Sequence, residues 1–562
     1  MTSNIIVLTM AFMILLLFLP SLASAESLSP ATLCHLTPEP PYCTSLLPPQ
    51  NTTIHDSCRF SLLHSLLRAR KFLNSLDLLL QRRSSLSAVV VADLEDCWTL
   101  ADLNVDFLST SLRILKYAAG FLSNIEVESV QTMLSAVLTN HETCLDGLQD
   151  TAASSHRGLV TGGLFLPLFD DKKLYKVSLS LFTKGWVHTS KQKPQLSWHQ
   201  PPRMQVVFKN GHSPLAMSSR TRAIFESASG RKLNSAFAAP HMALVKDIVT
   251  VSKDGRGNFT TINDALSAAP NKSSSSKGYF LIYVAAGVYE EYVSIDKKKT
   301  NLMMIGDGIN RTIISGNRSH GDGCQTFRSA TFVVHGKGFV GVNITFRNTA
   351  GPEKYQAVAV RNSANLSVFY SCSFEGYQDT LYAHSMKQFY RDCDIYGTVD
   401  FICGNAAAVF QNCNIYVRKP MMKQFNSITA QSRDSHDQST GFSIHNCTIR
   451  AAEDLTGIKT YLGRPWKPFS RTVYMESFMN SIIDSAGWHV WENDKENRLN
   501  NLYYAEYNNL GPGSNTSHRV LWKGYHVINY SIAVNFTISK FLSGNDWLPR
   551  TGVPYNSHLI NL

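Results

Sequence analysis

The segments Ser371-Cys372-Ser373-Phe374, Asp392-Cys393-Asp394-Ile395 and Asn412-Cys413-Asn414-Ile415 repeat one alternating four-residue pattern. The pattern recurs from Asn343 and from Asn446, so the five copies begin 28, 21, 20 and 34 residues apart. A unit of about 20 residues with longer insertions indicates a right-handed parallel β-helix, in which each coil places a strand on the previous one. A β-sandwich, which also consists of short strands, is the alternative.

Four of the five copies hold a cysteine at the same position. Neighbouring coils of a β-helix lie about 4.8 Å apart, so some of these sulfurs should lie within reach of one another. The repeat alone does not select a pair.

Two glutamines and two aspartates follow the same spacing. Gln356 precedes Gln378 by 22 residues, and Asp379 precedes Asp400 by 21 residues, each close to one coil, so all four should converge on one surface patch. Two carboxylates about 5 Å apart do not both ionise freely, so one should act as an acid while the other stays charged. The glutamine amides offer N–H donors to a developing oxyanion. Solvated aspartates at turns are the structural alternative, but the flanking residues are apolar and favour partial burial.

A third motif is Leu462-Gly463-Arg464-Pro465-Trp466. Arginine can hold a carboxylate with two N–H groups, and the tryptophan can stack on a sugar ring or close a groove. The chain contains neither the Gly-X-Ser-X-Gly motif nor the His-Glu-X-X-His motif, so a serine or zinc esterase lacks its parts. The carboxylates should therefore carry the chemistry, without a metal or another cofactor.

The N-terminal half has a different pattern. From Asp56 to about Trp186, leucines recur at three- and four-residue steps, which predicts an antiparallel bundle of four helices. Between about Lys191 and Met242 this periodicity is lost, and Gly230-Arg231-Lys232-Leu233 places a basic site in a segment predicted to be an exposed linker. A protease could cut there, although most dibasic pairs are only solvated surface.

The N-terminus predicts secretion. Ile5 to Leu19 is apolar and Ala23-Ser24-Ala25 follows, which is typical of a signal peptide cleaved after residue 25. An uncleaved anchor is the alternative because Met1 to Asn4 carries no basic residue. Asn-X-Ser/Thr sequons recur along the chain and suit N-glycosylation on the secretory route. The net charge of +11 favours a polyanionic partner, and secretion argues against nucleic acid.

Residues from about 247 to 562 resemble the catalytic domain of plant pectin methylesterases. The resemblance rests on Gly287-Val288-Tyr289-Glu290-Glu291 together with the glutamine, aspartate and Arg-Pro-Trp motifs, in the order of that family. It implies a right-handed parallel β-helix that acts in the plant cell wall on the methyl esters of homogalacturonan (pectin), without a metal or cofactor.

The resemblance also implies the roles of single residues: nucleophile Asp400, acid and then base Asp379, oxyanion contact Gln378, and substrate contacts Thr326, Gln356, Arg464 and Trp466. It implies a disulfide between Cys393 and Cys413. The departure from the family is Cys403, which stands where Phe is usual and removes apolar contact area beside the nucleophile. Cys403 either replaces that aromatic side chain or pairs with another unassigned cysteine.

Residues 26–190 resemble plant invertase and pectin methylesterase inhibitors. That resemblance implies the disulfides Cys34–Cys43 and Cys97–Cys144; buried, unpaired cysteines are the alternative. It further implies a pro-domain that masks the enzyme until the linker 191–246 is cut at Arg231-Lys232-Leu233. Asn234 stands where a second leucine is common. A bundle that only assists folding or targeting is the alternative.

Two other functions fit parts of the sequence. A β-helical glycoside hydrolase also uses two carboxylates about 5 Å apart, but it breaks a glycosidic bond instead of an ester. A catalytically weakened pectin-binding or inhibitor-like wall protein is favoured by the helical half and by Cys403.

Overall fold

The computed structural model describes residues 26–35, 37–118, 121–153, 165–187, 215–216, 218–229, 243–491 and 499–560. The predicted signal peptide, most of the predicted linker and the site Arg231-Lys232-Leu233 lie outside the described residues. Within the described ranges, none of the helices has the length and apolar character needed to cross a membrane.

Among the described residues, six helices precede the first strand of the chain, and four helices follow it. They are α1 (Pro30–Cys34), α2 (Pro40–Leu46), α3 (Ile54–Leu80), α4 (Ala88–Lys116), α5 (Asn124–Ala153), α6 (Phe165–Phe182), α7 (Ser219–Ser229), α8 (Ile262–Ala268), α9 (Tyr530–Ala533) and α10 (Ile538–Phe541). A five-residue π-helical turn, Thr183–Val187, extends α6.

The four long helices α3 to α6 pack on one another, as the leucine spacing predicts. Side-chain oxygens of Thr53 and Ser87 accept backbone N–H groups at the starts of α3 and α4, which satisfies donors that have no partner inside the helix. The predicted disulfides are present: Cys34–Cys43 joins α1 to α2, and Cys97–Cys144 joins α4 to α5. The all-α bundle is confirmed.

The strands form three parallel sheets. The twelve-stranded sheet has, in order, β1 (Leu215–Ala216), β2 (Ala243–Val251), β3 (Tyr279–Val284), β6 (Leu302–Gly306), β9 (Val340–Val342), β12 (Ser367–Tyr370), β15 (Lys387–Arg391), β18 (Ala407–Gln411), β21 (Gly441–His445), β24 (Arg471–Met475), β26 (Tyr503–Tyr507) and β27 (Tyr525–Val527). The eight-stranded sheet has β4 (Gly287–Tyr289), β7 (Thr312–Gly316), β10 (Thr345–Asn348), β13 (Ser373–Glu375), β16 (Asp394–Gly397), β19 (Asn414–Val417), β22 (Thr448–Ala451) and β25 (Phe478–Met479). The seven-stranded sheet has β5 (Val293–Ile295), β8 (Phe332–Val334), β11 (Val360–Asn362), β14 (Leu381–Ala383), β17 (Val399–Gly404), β20 (Asn426–Gln431) and β23 (Thr460–Gly463).

The five copies of the sequence repeat lead into equivalent strands of the eight-stranded sheet, from β10 to β22. The first residue of each copy lies at a corner with positive φ: Asn343 (58°), Ser371 (50°), Asp392 (51°), Asn412 (57°) and Asn446 (53°). Asn and Asp adopt this left-handed conformation at lower cost than other residues that carry a side chain, which explains their place in the repeat. The parallel β-helix is confirmed, and the parallel ladders exclude the sandwich.

The cysteines of the repeat point into the interior of the β-helix. Cys372, Cys393, Cys413 and Cys447 are buried free thiols one residue before strands that pair in register. The expected Cys393–Cys413 disulfide is therefore wrong. Cys393 Sγ lies 3.3 Å from the carbonyl oxygen of Arg391 and can donate to it.

Part of the segment predicted as a linker is ordered structure. Strand β1 pairs with β2, and helix α7 buries Phe225 against Tyr283 at a ring distance of 5.5 Å. Phe225 belongs to the apolar cluster on the outer face of the twelve-stranded sheet, whereas Ile262 and Leu266 of α8 belong to the cluster inside the β-helix. The β-rich region also begins at Ala243, slightly before the boundary expected at residue 247.

Candidate active site

The two aspartates of the sequence motifs come together at strands β14 and β17 of the seven-stranded sheet. Asp379 lies two residues before β14, and Asp400 lies in β17. These two strands are neighbours. The N–H of Asp379 donates to the carbonyl oxygen of Val399 at 3.1 Å, which joins the two coils beside the carboxylates. Both aspartates have positive φ, 59° and 54°, so the backbone bends at each of them.

The two glutamines are also neighbours on successive coils. Gln356 and Gln378 form a parallel bridge, and the N–H of Ala357 donates to the carbonyl oxygen of Gln378 at 3.1 Å. Gln378 adjoins Asp379 in the chain, so the amides and the carboxylates occupy one region. The convergence expected from the spacing of 21 and 22 residues is therefore observed.

Arg464 holds Asp400 with two nitrogens. Its Nε donates to Oδ1 at 2.9 Å and to Oδ2 at 3.2 Å, and its Nη2 donates to Oδ2 at 2.7 Å. Asp400 is only 3% exposed. A buried carboxylate needs such compensation to remain charged, and a two-pronged contact also fixes its orientation.

Asp379 lies in a different electrostatic environment. Desolvation is the main cause that raises the pKa of its carboxyl group well above the usual range, and the charge of Asp400 raises that pKa further. The charge of Arg464 acts in the opposite direction but does not outweigh them. The surroundings of Asp379 thus favour its protonated form, whereas Asp400 is held by a cation.

Aromatic side chains surround this pair. Trp466 is stacked with Trp491 at 6.4 Å and lies 6.0 Å from the ring of Tyr382, and the guanidinium of Arg464 lies 4.2 Å from the ring centre of Trp491. Sequence reasoning missed Tyr382 and Trp491. Tyr382 lies three residues after Asp379, which was a usable signal, whereas Trp491 belongs to none of the motifs.

Thr326 begins a short 3₁₀ turn, Thr326–Arg328. Its carbonyl oxygen accepts the N–H of Ser329 at 3.2 Å, and the next residue, Phe327, lies 6.4 Å from the ring of Tyr382. Within the described residues no hydrogen bond joins Thr326 to either aspartate. Its assignment as a substrate contact stays a prediction.

Cys403 lies between Tyr382 and Ala430 in the register of the seven-stranded sheet. It is a buried free thiol, and so the alternative in which it pairs with another cysteine is not the arrangement of the structure. Desolvation, together with the charges of Asp379 and Asp400, raises the pKa of the thiol well above its usual range. An uncharged thiol of this kind behaves as a small apolar side chain.

Helix α5 of the bundle lies across this face of the β-helix. Thr143 Oγ1 lies 3.0 Å from His384 Nε2, and Asn405 Nδ2 donates to Thr139 Oγ1 at 2.9 Å. Farther along the same helix, Gln438 Nε2 donates to the carbonyl oxygen of Ser135 at 3.0 Å. An apolar cluster containing Tyr382 and Cys403 continues into the helices. The bundle therefore covers the groove beside the aspartates.

Searches for similar proteins agree with this architecture. The family profile "Pectinesterase" matches residues 248–545, and the profile "Plant invertase/pectin methylesterase inhibitor" matches residues 29–181. The chain is 52% identical over 563 residues to "Probable pectinesterase/pectinesterase inhibitor 7" of Arabidopsis thaliana, which covers 96% of this chain and 97% of that protein. It is 45% identical over 470 residues to "Pectinesterase 2" of Citrus sinensis, with coverage of 83% and 81%. The solved structure "Pectin methylesterase from Carrot" is 45% identical and covers 58% of this chain and 100% of its own, with a TM-score of 0.54.

Proposed function

The chain belongs to the pectinesterase family, and we propose that it hydrolyses the methyl esters of homogalacturonan to pectate and methanol through Asp400 and Asp379. It is a carbohydrate esterase with an inhibitor-like helical domain before the β-helix. One observation carries the proposal: the two neighbouring carboxylates have opposite environments. Arg464 holds Asp400 with two nitrogens, whereas desolvation and the charge of Asp400 raise the pKa of Asp379.

In the first step, a carboxylate oxygen of Asp400 attacks the C6 carbonyl carbon of a methylgalacturonate unit. The negative charge that develops on the carbonyl oxygen is stabilised by N–H groups of the Gln378 and Gln356 amides. Asp379, protonated because its pKa is raised, gives its proton to the departing methoxy oxygen. Methanol leaves, and the acid unit stays joined to Asp400 as an anhydride.

In the second step, Asp379 is ionised and takes a proton from a water molecule. The resulting hydroxide equivalent attacks the anhydride, which releases the galacturonic acid unit and restores Asp400 as a carboxylate. Arg464 keeps Asp400 oriented in both steps, and Trp466 offers a ring face to the sugar chain. The cycle returns both aspartates to their starting states.

We further propose that the uncut chain is the latent form of a secreted cell-wall enzyme. Helix α5 covers the groove, and a domain attached through a linker is held at a high effective concentration, so weak contacts suffice to keep it there. Cleavage at Arg231-Lys232-Leu233 would allow the domain to leave. The apolar segment from Ile5 to Leu19, with Ala25 at the expected cleavage site, supports secretion.

The test uses highly methyl-esterified pectin and protein cut at the linker. We expect methanol release without new reducing ends, because an ester bond and no glycosidic bond is broken. New reducing ends without methanol would instead identify a glycoside hydrolase. Pectin binding without methanol release between pH 4 and pH 9 would identify a binding or inhibitor-like wall protein.

A further inference from the structure

Basic residues of the β-helix meet acidic residues of the helical domain in pairs. Lys467 Nζ contacts Glu142 Oε1 at 2.7 Å and Asp146 Oδ1 at 3.0 Å, and both acids lie on helix α5. Arg328 contacts Glu95 and Asp96 of helix α4, at 3.3 Å and 3.2 Å. Lys297 contacts Asp102 and Asp106, also on α4, at 2.6 Å each. One cation thus faces two carboxylates at each of three places.

Lys467 lies on one side of the catalytic pair. It follows Trp466, just after strand β23, and β23 lies two strands from β17, which carries Asp400. Its side chain is only 16% exposed, and both acceptors of its Nζ come from the helical domain. Departure of the helical domain removes both carboxylates and uncovers the ammonium group. Lys467 is then a cation without its carboxylate partners beside the groove, and it can accept a carboxylate of the substrate chain.

Arg361 lies on the opposite side of the pair. It is in β11, which is two strands from β17 in the other direction, and it is 6% exposed. Its guanidinium lies 3.4 Å from the ring centre of Phe327, and its Nε and Nη1 are buried without a hydrogen-bond partner among the described residues. Buried N–H donors without acceptors are costly and uncommon. Their presence beside a substrate groove indicates a place for a ligand oxygen.

We propose that Lys467 and Arg361 bind carboxylates of de-esterified galacturonate units on either side of the reacting ester, and that Glu142 and Asp146 occupy the Lys467 site in the uncut chain. The inference rests on the proposed function, because the carboxylates are those of its product. A methyl ester has no charge and would not replace a carboxylate at a buried cation. The two sites therefore select pectin that is already partly de-esterified.

The test measures binding to the full chain by calorimetry, with two probes of ten sugar units: unesterified oligogalacturonate and its fully methyl-esterified form. All proteins carry Asp379→Asn, so the esterified probe is not consumed. Glu142→Gln and Asp146→Asn remove the two carboxylates that occupy the Lys467 site. They should tighten binding of the unesterified probe at least tenfold and change binding of the esterified probe less than twofold. Adding Lys467→Met should abolish that gain.

A matched control separates the carboxylate site from general loosening of the domain contact. Asp102→Asn with Asp106→Asn removes the same kind of acid pair at Lys297, which lies two residues after β5, four strands from β17. We expect this control to show no Lys467-dependent preference for the unesterified probe. Equal gains for both probes, or a gain that survives Lys467→Met, would overturn the proposal at Lys467.

The Arg361 site is tested in protein that carries Glu142→Gln and Asp146→Asn and is cut at the linker, so that the helical domain can leave. Arg361→Met should weaken binding of the unesterified probe about fivefold and leave the esterified probe unchanged, because methionine keeps the apolar stem. An unchanged affinity would remove Arg361 from the proposal. Binding is measured without turnover, so a failure of wild-type methanol release would refute the proposed function and leave these results interpretable.

Discussion

The β-helix and the helical bundle build their facing surfaces in different ways. The β-helix contributes residues from successive coils, so Gln356, Gln378 and Asp400 meet although each is 22 residues from the next. The bundle contributes residues from single helices, where Glu142 and Asp146 lie one turn apart. The first arrangement fixes a catalytic geometry through backbone register, whereas the second provides a strip of contacts that can separate as one body.

The two regions therefore have different roles. The hydrogen bonds of the Asp400 carboxylate come from Arg464, and the charges that shift the pKa of Asp379 come from Asp400 and Arg464, all within the β-helix. The bundle contacts the surroundings of the pair, at His384, Asn405 and Lys467. The chemistry should therefore depend on substitutions in the β-helix, and access to it should depend on the bundle.

The largest effect is expected for the nucleophile. Asp400→Asn should lower kcat at least 1,000-fold in protein cut at the linker, because an amide is a poor nucleophile. Asp379→Asn should keep pectin binding but block methanol departure. Asp394→Asn is the matched control, since Asp394 lies in β16 of the eight-stranded sheet and should retain activity. Near wild-type turnover by Asp400→Asn, measured as methanol release, would show that the nucleophile is a different group.

A smaller loss of activity is expected when only the hydrogen bonds from Arg464 to Asp400 change. Arg464→Lys keeps the charge but loses the two-pronged contact, so kcat should fall about 10- to 100-fold. Arg450→Lys is a suitable control, because Arg450 is an exposed residue of β22 that lies over Tyr416. If the two variants released methanol at the same rate, the orientation of Asp400 would not depend on Arg464.

A still smaller effect is expected at Cys403. The structure has seven free cysteines, so thiol counting under denaturing conditions should give seven for the wild type and six for Cys403→Phe. Restoring the aromatic contact should raise activity or lower KM a few-fold in protein cut at the linker. A thiol count that rises after the substitution would mean that Cys403 has a disulfide partner.

The smallest effect concerns stability and pH. Because the pKa of Asp379 is raised in the folded state, the folded protein binds more protons than the unfolded chain between the two pKa values, and stability falls as pH rises through that interval. Asp379→Asn removes this loss. At pH 7 the Tm of the β-helix should increase by about 2–4 °C, the shift that about 1 kcal/mol produces in a domain of this size. At pH 3 the increase should disappear; equal shifts at both pH values would contradict the assignment.

The sequence predicts most of the β-helix and its aspartates because a coil of about 21 residues is visible in the chain. Asn412, Cys413 and the other members of the repeat mark equivalent corners and strands, so residues one coil apart can be placed side by side. The repeat places Cys393 and Cys413 on adjacent coils but does not decide whether they are oxidised, and both are free thiols in the structure.

The rest of the site depends on contacts that have no periodic signal. Trp491 reaches Arg464 from outside the motifs, and the strip of α5 that covers the groove joins residues about 240 positions or more apart, such as Thr143 and His384. The sequence also did not predict strand β1 and helix α7, because short elements in a polar segment bury few residues and leave no apolar pattern. Such contacts are decided by tertiary packing, which local patterns do not specify.

The most direct test of the central claim, that the β-helix carries the chemistry and the bundle covers it, compares one protein in two states. Methanol release from the same esterified pectin is measured for the chain cut at the linker and for the uncut full chain carrying Arg231→Ala and Lys232→Ala. We predict rapid release by the cut protein and at least tenfold slower release by the uncut variant. A secreted, uncut and fully active variant would contradict the account.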